Sequence, residues 1–277
     1  MHIRAKRYLT AGVSTTWAID SDDDGDSVVI DLTHAEFVDT LGLVTVAVVA
    51  EDAQTQGRKV DIKLPRLISP RNWLSRMHLR SALESIGLAC DLGQVNETPL
   101  GDRILELHRF DSSTPDELAD KVYAVLSADD PQEAGVMYSS VAEAAANVCD
   151  HSGKDGGWAA LRQVGKGAKR RVEFAVADAG VGLRSSLANA HSVTNDVDAM
   201  QLAVTQGVSG TGLVRRGLGL SSIAETAADR SGQLRLFSGR ATGQTMPNGE
   251  LLSRVSPTRY PGTLVYANLE FQSQEVT

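Results

Sequence analysis

The chain has 277 residues, of which 42% are hydrophobic and 22% charged, and a net charge of −8. That is the make-up of a globular protein of one large or two ordinary domains, and the acidic balance argues against a general nucleic-acid binder. No apolar run is long enough to span a membrane, and the basic N-terminus, MHIRAKRYLT, lacks the apolar stretch of a secretory signal, so a cytoplasmic protein with no membrane association is expected. The two cysteines, Cys90 and Cys149, have no metal-ligand spacing and read as reduced thiols.

Residues 21–26, SDDDGD, read as an acidic loop, and Val28 to Leu32 as a short buried strand. Thr40 suits the N-cap of a helix from about Leu41 to Thr55, which Gly57 ends, and Val60 to Leu64 alternates like a second strand. A strand–helix–strand crossover of this kind lays its strands parallel. Pro65 and Pro70 then break the chain. Apolar positions from Trp73 to Leu88 follow helical spacing, with Arg66, Arg71, Arg76 and Arg80 interspersed as a basic segment. Residues 91–102 read as a linker.

Arg103 to Phe110 alternates like a half-buried strand. Pro115 with Asp116 and Glu117 opens a helix in accord with its dipole, and Pro131 opens another. That second helix carries the segment EAAANVCDHSG, in which Glu143 and Asn147 lie one helical turn apart on one face. A carboxylate beside a carboxamide can provide a base and an oxygen ligand for Mg²⁺; a helix end meeting solvent is the ordinary alternative. Trp158 to Val164 and Arg171 to Ala177 read as an antiparallel hairpin. The second strand runs into Asp178-Ala179-Gly180-Val181-Gly182, a turn that can approach a ligand closely and whose acid can accept a hydrogen bond from adenine. Any tight turn can use the same residues.

Residues 183–212 have little pattern beyond a short helical piece, Val197 to Thr205. Gly217 and Gly219 then open a helix to about Ala228, preceded by Arg215 and Arg216, and glycines at a helix N-terminus suit a phosphate. Gln233 to Phe237 and Thr242 to Met246 read as a hairpin turning near Gly239. Leu251 to Tyr260 reads as a surface excursion, and Thr263 precedes a terminal strand, Leu264 to Phe271.

Two resemblances join these pieces. Residues 1–97, through Asp39-Thr40-Leu41-Gly42-Leu43, resemble the STAS domain of anti-sigma-factor antagonists, in which the first serine of an Asp-Ser-Ser-Gly-Leu-like motif accepts phosphate. The resemblance places the phosphoacceptor at Thr40, where capping is the ordinary use; the second serine is replaced by Leu41. Residues 103–277 resemble the GHKL superfamily of ATP-binding domains (gyrase, Hsp90, histidine kinase, MutL), through ExxxN, DxGxG, GLGL and GT in that order. The implied fold is α/β: a STAS-like mixed sheet with helices, then a two-layer α/β sandwich of the Bergerat type with an ATP lid at about 183–216.

The GHKL resemblance implies Glu143 as general base and Asn147 as Mg²⁺ ligand. It implies Asp178 as the adenine-binding acid, with Gly180 and Gly182 shaping its wall and Thr263 supporting it. Arg215, Gly217 and Gly219 are the implied phosphate contacts, and ATP and Mg²⁺ the implied cofactors. The nearest subgroup in character is the anti-sigma-factor serine/threonine kinases. Transducer-dependent members need a further domain for which this length leaves no room, and no histidine-bearing helical pair precedes residue 103. The expected partner is a protein of STAS or sigma-regulatory type, with a homodimer as a further option. Two functions are compatible with this reading: phosphotransfer or hydrolysis through Glu143, and a non-catalytic, nucleotide-controlled interaction switch.

Overall fold

The segment LGLVTVAVVA, residues 41–50, is apolar on every side of a helix, and such a helix is stable only when surrounded. The computed structural model describes residues 2–5, 8–10, 17–20, 26–96, 103–128, 130–165, 170–205 and 219–271. In it the segment lies in α1 (Thr40–Thr55), and every residue from Thr40 to Ala50 is buried. Asp39 rather than Thr40 is the N-cap: its Oδ1 accepts the Gly42 N–H at 2.9 Å. A Cβ on Gly42 would fall 2.4 Å from the Leu9 carbonyl oxygen, so only glycine lets the two backbones pass.

The helix α1 joins β4 (Ser27–Asp31) to β6 (Lys59–Lys63), and these pair in parallel as the crossover requires. Two strands not apparent in the sequence, β1 (His2–Ala5) and β3 (Trp17–Asp20), complete a mixed sheet of order β3-β1-β4-β6. A short parallel pair, β2 (Tyr8–Leu9) and β5 (Phe37–Val38), lies apart from it. The apolar stripe after Pro65 forms two helices, α2 (Ile68–Arg76) and α3 (Leu79–Ser85), divided at His78, whose φ is 59°. Pro70 sits in the first turn of α2, where its missing N–H costs nothing.

The remainder builds a five-stranded antiparallel sheet of order β10-β11-β9-β8-β7. Its strands are β7 (Ile104–Phe110), β8 (Gly157–Val164), β9 (Arg170–Ala177), β10 (Gln233–Thr245) and β11 (Leu251–Phe271). Five helices accompany them: α4 (Pro115–Ser127), α5 (Pro131–His151), α6 (Gly182–Leu187), α7 (Asp196–Ala203) and α8 (Gly219–Asp229). Alternate strand residues face opposite ways. Val172, Phe174, Val176, Val265 and Ala267 pack with α4, α5 and α8. Trp158, Ala160, Ala175, Ala177, Leu264 and Tyr266 pack with the core around α1. The expected two-layer sandwich is therefore extended by a third layer, because α1 covers the sheet face that α4, α5 and α8 leave free.

Polar groups fix this union. From α1, Glu51 Oε2 accepts the Trp158 Nε1–H at 2.7 Å, and Glu51 Oε1 lies 3.3 Å from Arg109. Arg162 pairs with Glu173 at 2.6 Å and stacks 4.8 Å from the Phe37 ring centre. Arg76 pairs with Glu106 at 2.5 Å.

One correction concerns the last hairpin. Leu251 to Tyr260 is not an excursion but the first half of β11, paired with the far half of β10, and register shifts occur on either side of Gly239. Among the described residues this half of β11 has no second strand neighbour, since β9 pairs with Leu264 to Phe271. Pro257 is tolerated there because its absent N–H leaves no ladder bond unmade.

Candidate functional site

The long helix α5 is started by Asp130, whose Oδ1 accepts the Gln132 and Glu133 N–H groups, both at 3.1 Å, with Pro131 in the first turn. Its face toward the sheet is buried through Met137, Val141, Ala144, Ala145 and Val148. Glu143 and Asn147 are half-buried beside that face. Asn147 Nδ2 is sealed from solvent with no hydrogen-bond partner among the described residues. An unmet buried amide costs about 1–3 kcal/mol, so this side chain favours a ligand that would meet it. A half-turn of the carboxamide exchanges Nδ2 for Oδ1, an oxygen of the kind Mg²⁺ accepts.

The end of α5 holds the Asp178 turn. The Ser152 carbonyl accepts the Val181 N–H at 2.8 Å. Gly180 passes so close that a Cβ would lie 2.1 Å from the same carbonyl oxygen. Asp178 is only 3% exposed, and its Oδ1 accepts the Gly180 N–H at 2.7 Å. The Asp178 N–H donates in turn to the Thr263 carbonyl at 3.0 Å. Gly262, at φ 71°, crosses within 2.1 Å of the Asp178 carbonyl oxygen measured from where a Cβ would stand. Glycine at 180 and 262 is thus required by close backbone approach, and Gly182 by its φ of 77°.

Burial pushes the Asp178 carboxyl up to about 7, against the lowering effect of the Gly180 and Thr263 backbone; the Glu51 carboxylate of α1 pushes it further upward. Burial likewise drives the Tyr260 hydroxyl well above its usual range, and the Cys90 thiol up to about 11, as suits an unreactive core cysteine.

Ser238, a residue the motifs do not include, locks Thr263 in place. Its hydroxyl donates to the Gly262 carbonyl at 3.0 Å and accepts the Leu183 N–H at 2.9 Å. With its proton committed, it can accept from the Thr263 hydroxyl 3.3 Å away. Its only sequence signal is a polar residue at an inward strand position next to glycine. Glu51 and Ser152 were equally silent, because neither belongs to a motif and their contacts span 107 residues for Glu51–Trp158 and the whole β8–β9 hairpin for Ser152–Val181.

The helix α8 packs along α5, with Leu220, Ile223, Ala224 and Ala227 in the same core as Val141, Ala144 and Ala145. Arg230 after α8 pairs with Glu133 near the start of α5, so the two helices run in opposite directions. Eleven residues of helix span about 16 Å. The N-terminal end of α8, at Gly219, therefore lies level with the Glu143–Asn147 part of α5. Gly217 and Arg215 lie outside the described residues, as does the part of the expected lid from 206 to 216. The described part of that lid holds α6, which the sequence did not suggest, and α7, close to the expected helical piece. Asp196 ties α7 to the β10–β11 hairpin by accepting the Arg240 N–H at 2.7 Å.

Thr40 is brought to a different place. It is 0% exposed at the start of α1, and its Oγ1 has no hydrogen-bond partner among the described residues. It lies on the sheet face opposite α5, and about 16 Å of helix separates it from Glu51, the α1 residue whose charge reaches Asp178.

Among the described residues no three His, Cys, Asp or Glu side chains converge as a metal site, and no helix is long and apolar enough to cross a membrane. Magnesium here would need ligands from a bound phosphate chain beside Asn147. No family model matches the chain, and neither a curated protein nor a solved structure matches it.

Proposed function

We propose that the chain is a magnesium-dependent ATP-binding regulatory protein with a GHKL-type nucleotide domain of Bergerat fold, joined to a STAS-like domain docked on its sheet. One observation carries the reading. The end of α5, the Asp178 turn and the Gly262–Thr263 pair are far apart in sequence yet meet in a single hydrogen-bonded knot at one end of the sheet. In this reading Asp178, with Gly180 and Gly182 beside it and Thr263 and Ser238 holding the wall, accepts the adenine amine. The Gly219 end of α8 faces the phosphates with the N–H groups that a helix start leaves without intrahelical partners. Asn147 holds the magnesium ion, which would supply positive charge to the phosphoryl oxygens. Glu143 takes the proton of the attacking oxygen, either a Ser/Thr hydroxyl of a STAS-type protein or water.

The burial of Thr40 supports a second reading. A hydroxyl sealed beneath the sheet cannot reach a base on its other side, so transfer to Thr40 within one docked chain is not available. A nucleotide-controlled switch, in which the site governs how α1 sits on the sheet, needs no acceptor there. Incubation with γ-labelled ATP and Mg²⁺ together with a STAS-type protein separates the two. Label on the added protein is the result expected for a kinase, and free phosphate without protein label would assign hydrolysis. Bound ATP with neither product would leave the switch. Label on Thr40 would mean that α1 leaves the sheet during turnover.

A further inference from the structure

A concave region of about 400 Å³ opens beside the Asp178 knot, between α6 and the bulged part of the β10–β11 hairpin. That volume is in the range of small-ligand pockets. Its floor is Gly262 and the buried Tyr260, and its rim carries three exposed guanidinium groups, Arg184 from α6, Arg240 from β10 and Arg259 from β11. The one carboxylate in the lining, Asp196, is already engaged by the Arg240 N–H. Arg240 Nη1 donates to the Pro257 carbonyl at 3.3 Å, while the guanidinium groups of Arg184 and Arg259 make no hydrogen bond or ion pair among the described residues. The Asp52 carboxylate of α1 is the acid whose field reaches Arg259. Elsewhere five described arginines, Arg76, Arg80, Arg109, Arg162 and Arg230, each meet a carboxylate, while Arg71 and Arg235 donate to neutral oxygens. Three guanidinium groups gathered from separate elements around one hollow, with Asp196 the single carboxylate in its lining, leave an excess of positive charge that an anion would offset.

We propose that this hollow, which shares Gly182, Ser238 and Gly262 with the wall assigned to adenine, binds a small phosphorylated molecule through its arginine rim. A terminal phosphoryl group offers three acceptor oxygens, enough for three guanidinium donors, whereas one carboxylate offers two. Ser185, exposed in the same lining, adds a hydroxyl that suits a phosphate oxygen. The floor of the hollow is continuous with the Asp178 wall, because Gly262 touches Asp178 and Gly180 on its other side.

The test is calorimetric titration of the whole chain with inorganic pyrophosphate at physiological salt, with citrate in a parallel arm. The double variant Arg184→Gln/Arg259→Gln is compared with Arg254→Gln, an exposed arginine on β11 outside the hollow. The double variant is expected to weaken pyrophosphate binding at least about tenfold, the equivalent of one charge-assisted contact, with unchanged melting temperature and unchanged ATP affinity. Arg254→Gln and Asn147→Ala should leave pyrophosphate binding as in the wild type. No pyrophosphate binding by the wild type, equal binding by the double variant, or loss in Asn147→Ala alone would overturn the proposal. Citrate binding as tight as pyrophosphate would overturn its phosphoryl preference.

Discussion

Glu143→Gln is expected to lower ATP turnover by a factor of about 10²–10³ while leaving the affinity for Mg²⁺–ATP within about threefold. The substitution keeps the shape of a half-buried side chain on α5 and removes only its ability to take a proton. Its neighbour one turn on should behave in the opposite way. Asn147→Ala deletes a carboxamide whose buried amide has no partner among the described residues, so the fold loses little. What it should lose is the magnesium-dependent part of nucleotide binding. The pair thus separates chemistry from binding on a single helix face. Steady-state phosphate release and calorimetric titration with and without magnesium measure both. Unchanged turnover in Glu143→Gln would refute the base assignment, and magnesium dependence persisting in Asn147→Ala would refute the ligand assignment.

The second large effect lies in the pH dependence of stability. The Asp178 carboxyl rises from 3.8 to about 7 in the folded chain, chiefly because burial disfavours its charge. Between those values the folded state binds a proton that the unfolded state has lost. The contribution of Asp178 to stability is therefore fully present below pH 3.8, falls as pH rises and is gone above about 7. A shift of this size corresponds to roughly 4 kcal/mol. Asp178→Asn keeps an oxygen for the Gly180 N–H and carries no charge, so it should remove this slope. Urea denaturation of both proteins at several pH values between 5 and 8 is the check. The variant is expected to gain on the wild type from pH 5 to about 7 and to level off beyond it; parallel curves across pH 5 to 7 would contradict the assigned cause.

How much of this was readable without coordinates depended on the range over which each interaction acts. Glu143 and Asn147 were placed together by helical geometry alone, since four residues always bring side chains onto one face. The crossover of β4, α1 and β6 was equally legible, because each element carries its own periodicity. The division between α2 and α3 was not, because the apolar stripe continues unbroken across His78 and only a backbone angle separates them. Leu251 to Tyr260 read as an excursion and proved to be strand; Pro257 fits there because proline is excluded only where a strand has a partner on each side, and among the described residues one side is open. Burial of Thr40 followed from contacts between units distant in sequence. Within the candidate site, residues belonging to motifs could be named from spacing, and those acting only as supports, Ser238, Ser152 and Glu51, could not. Supports are defined by what they touch, and no spacing rule encodes that.

The account rests on the Asp178 turn being an adenine wall. Titration of the wild-type chain with ATP and GTP in Mg²⁺ at pH 8, where the carboxyl is ionised, addresses that directly. A carboxylate that accepts the adenine amine should favour ATP over GTP by at least about tenfold, since guanine presents an acceptor at the same position and a hydrogen bond to a charged group is worth about 1.5–3 kcal/mol. Equal affinities, or no binding of ATP at millimolar concentration, would contradict it.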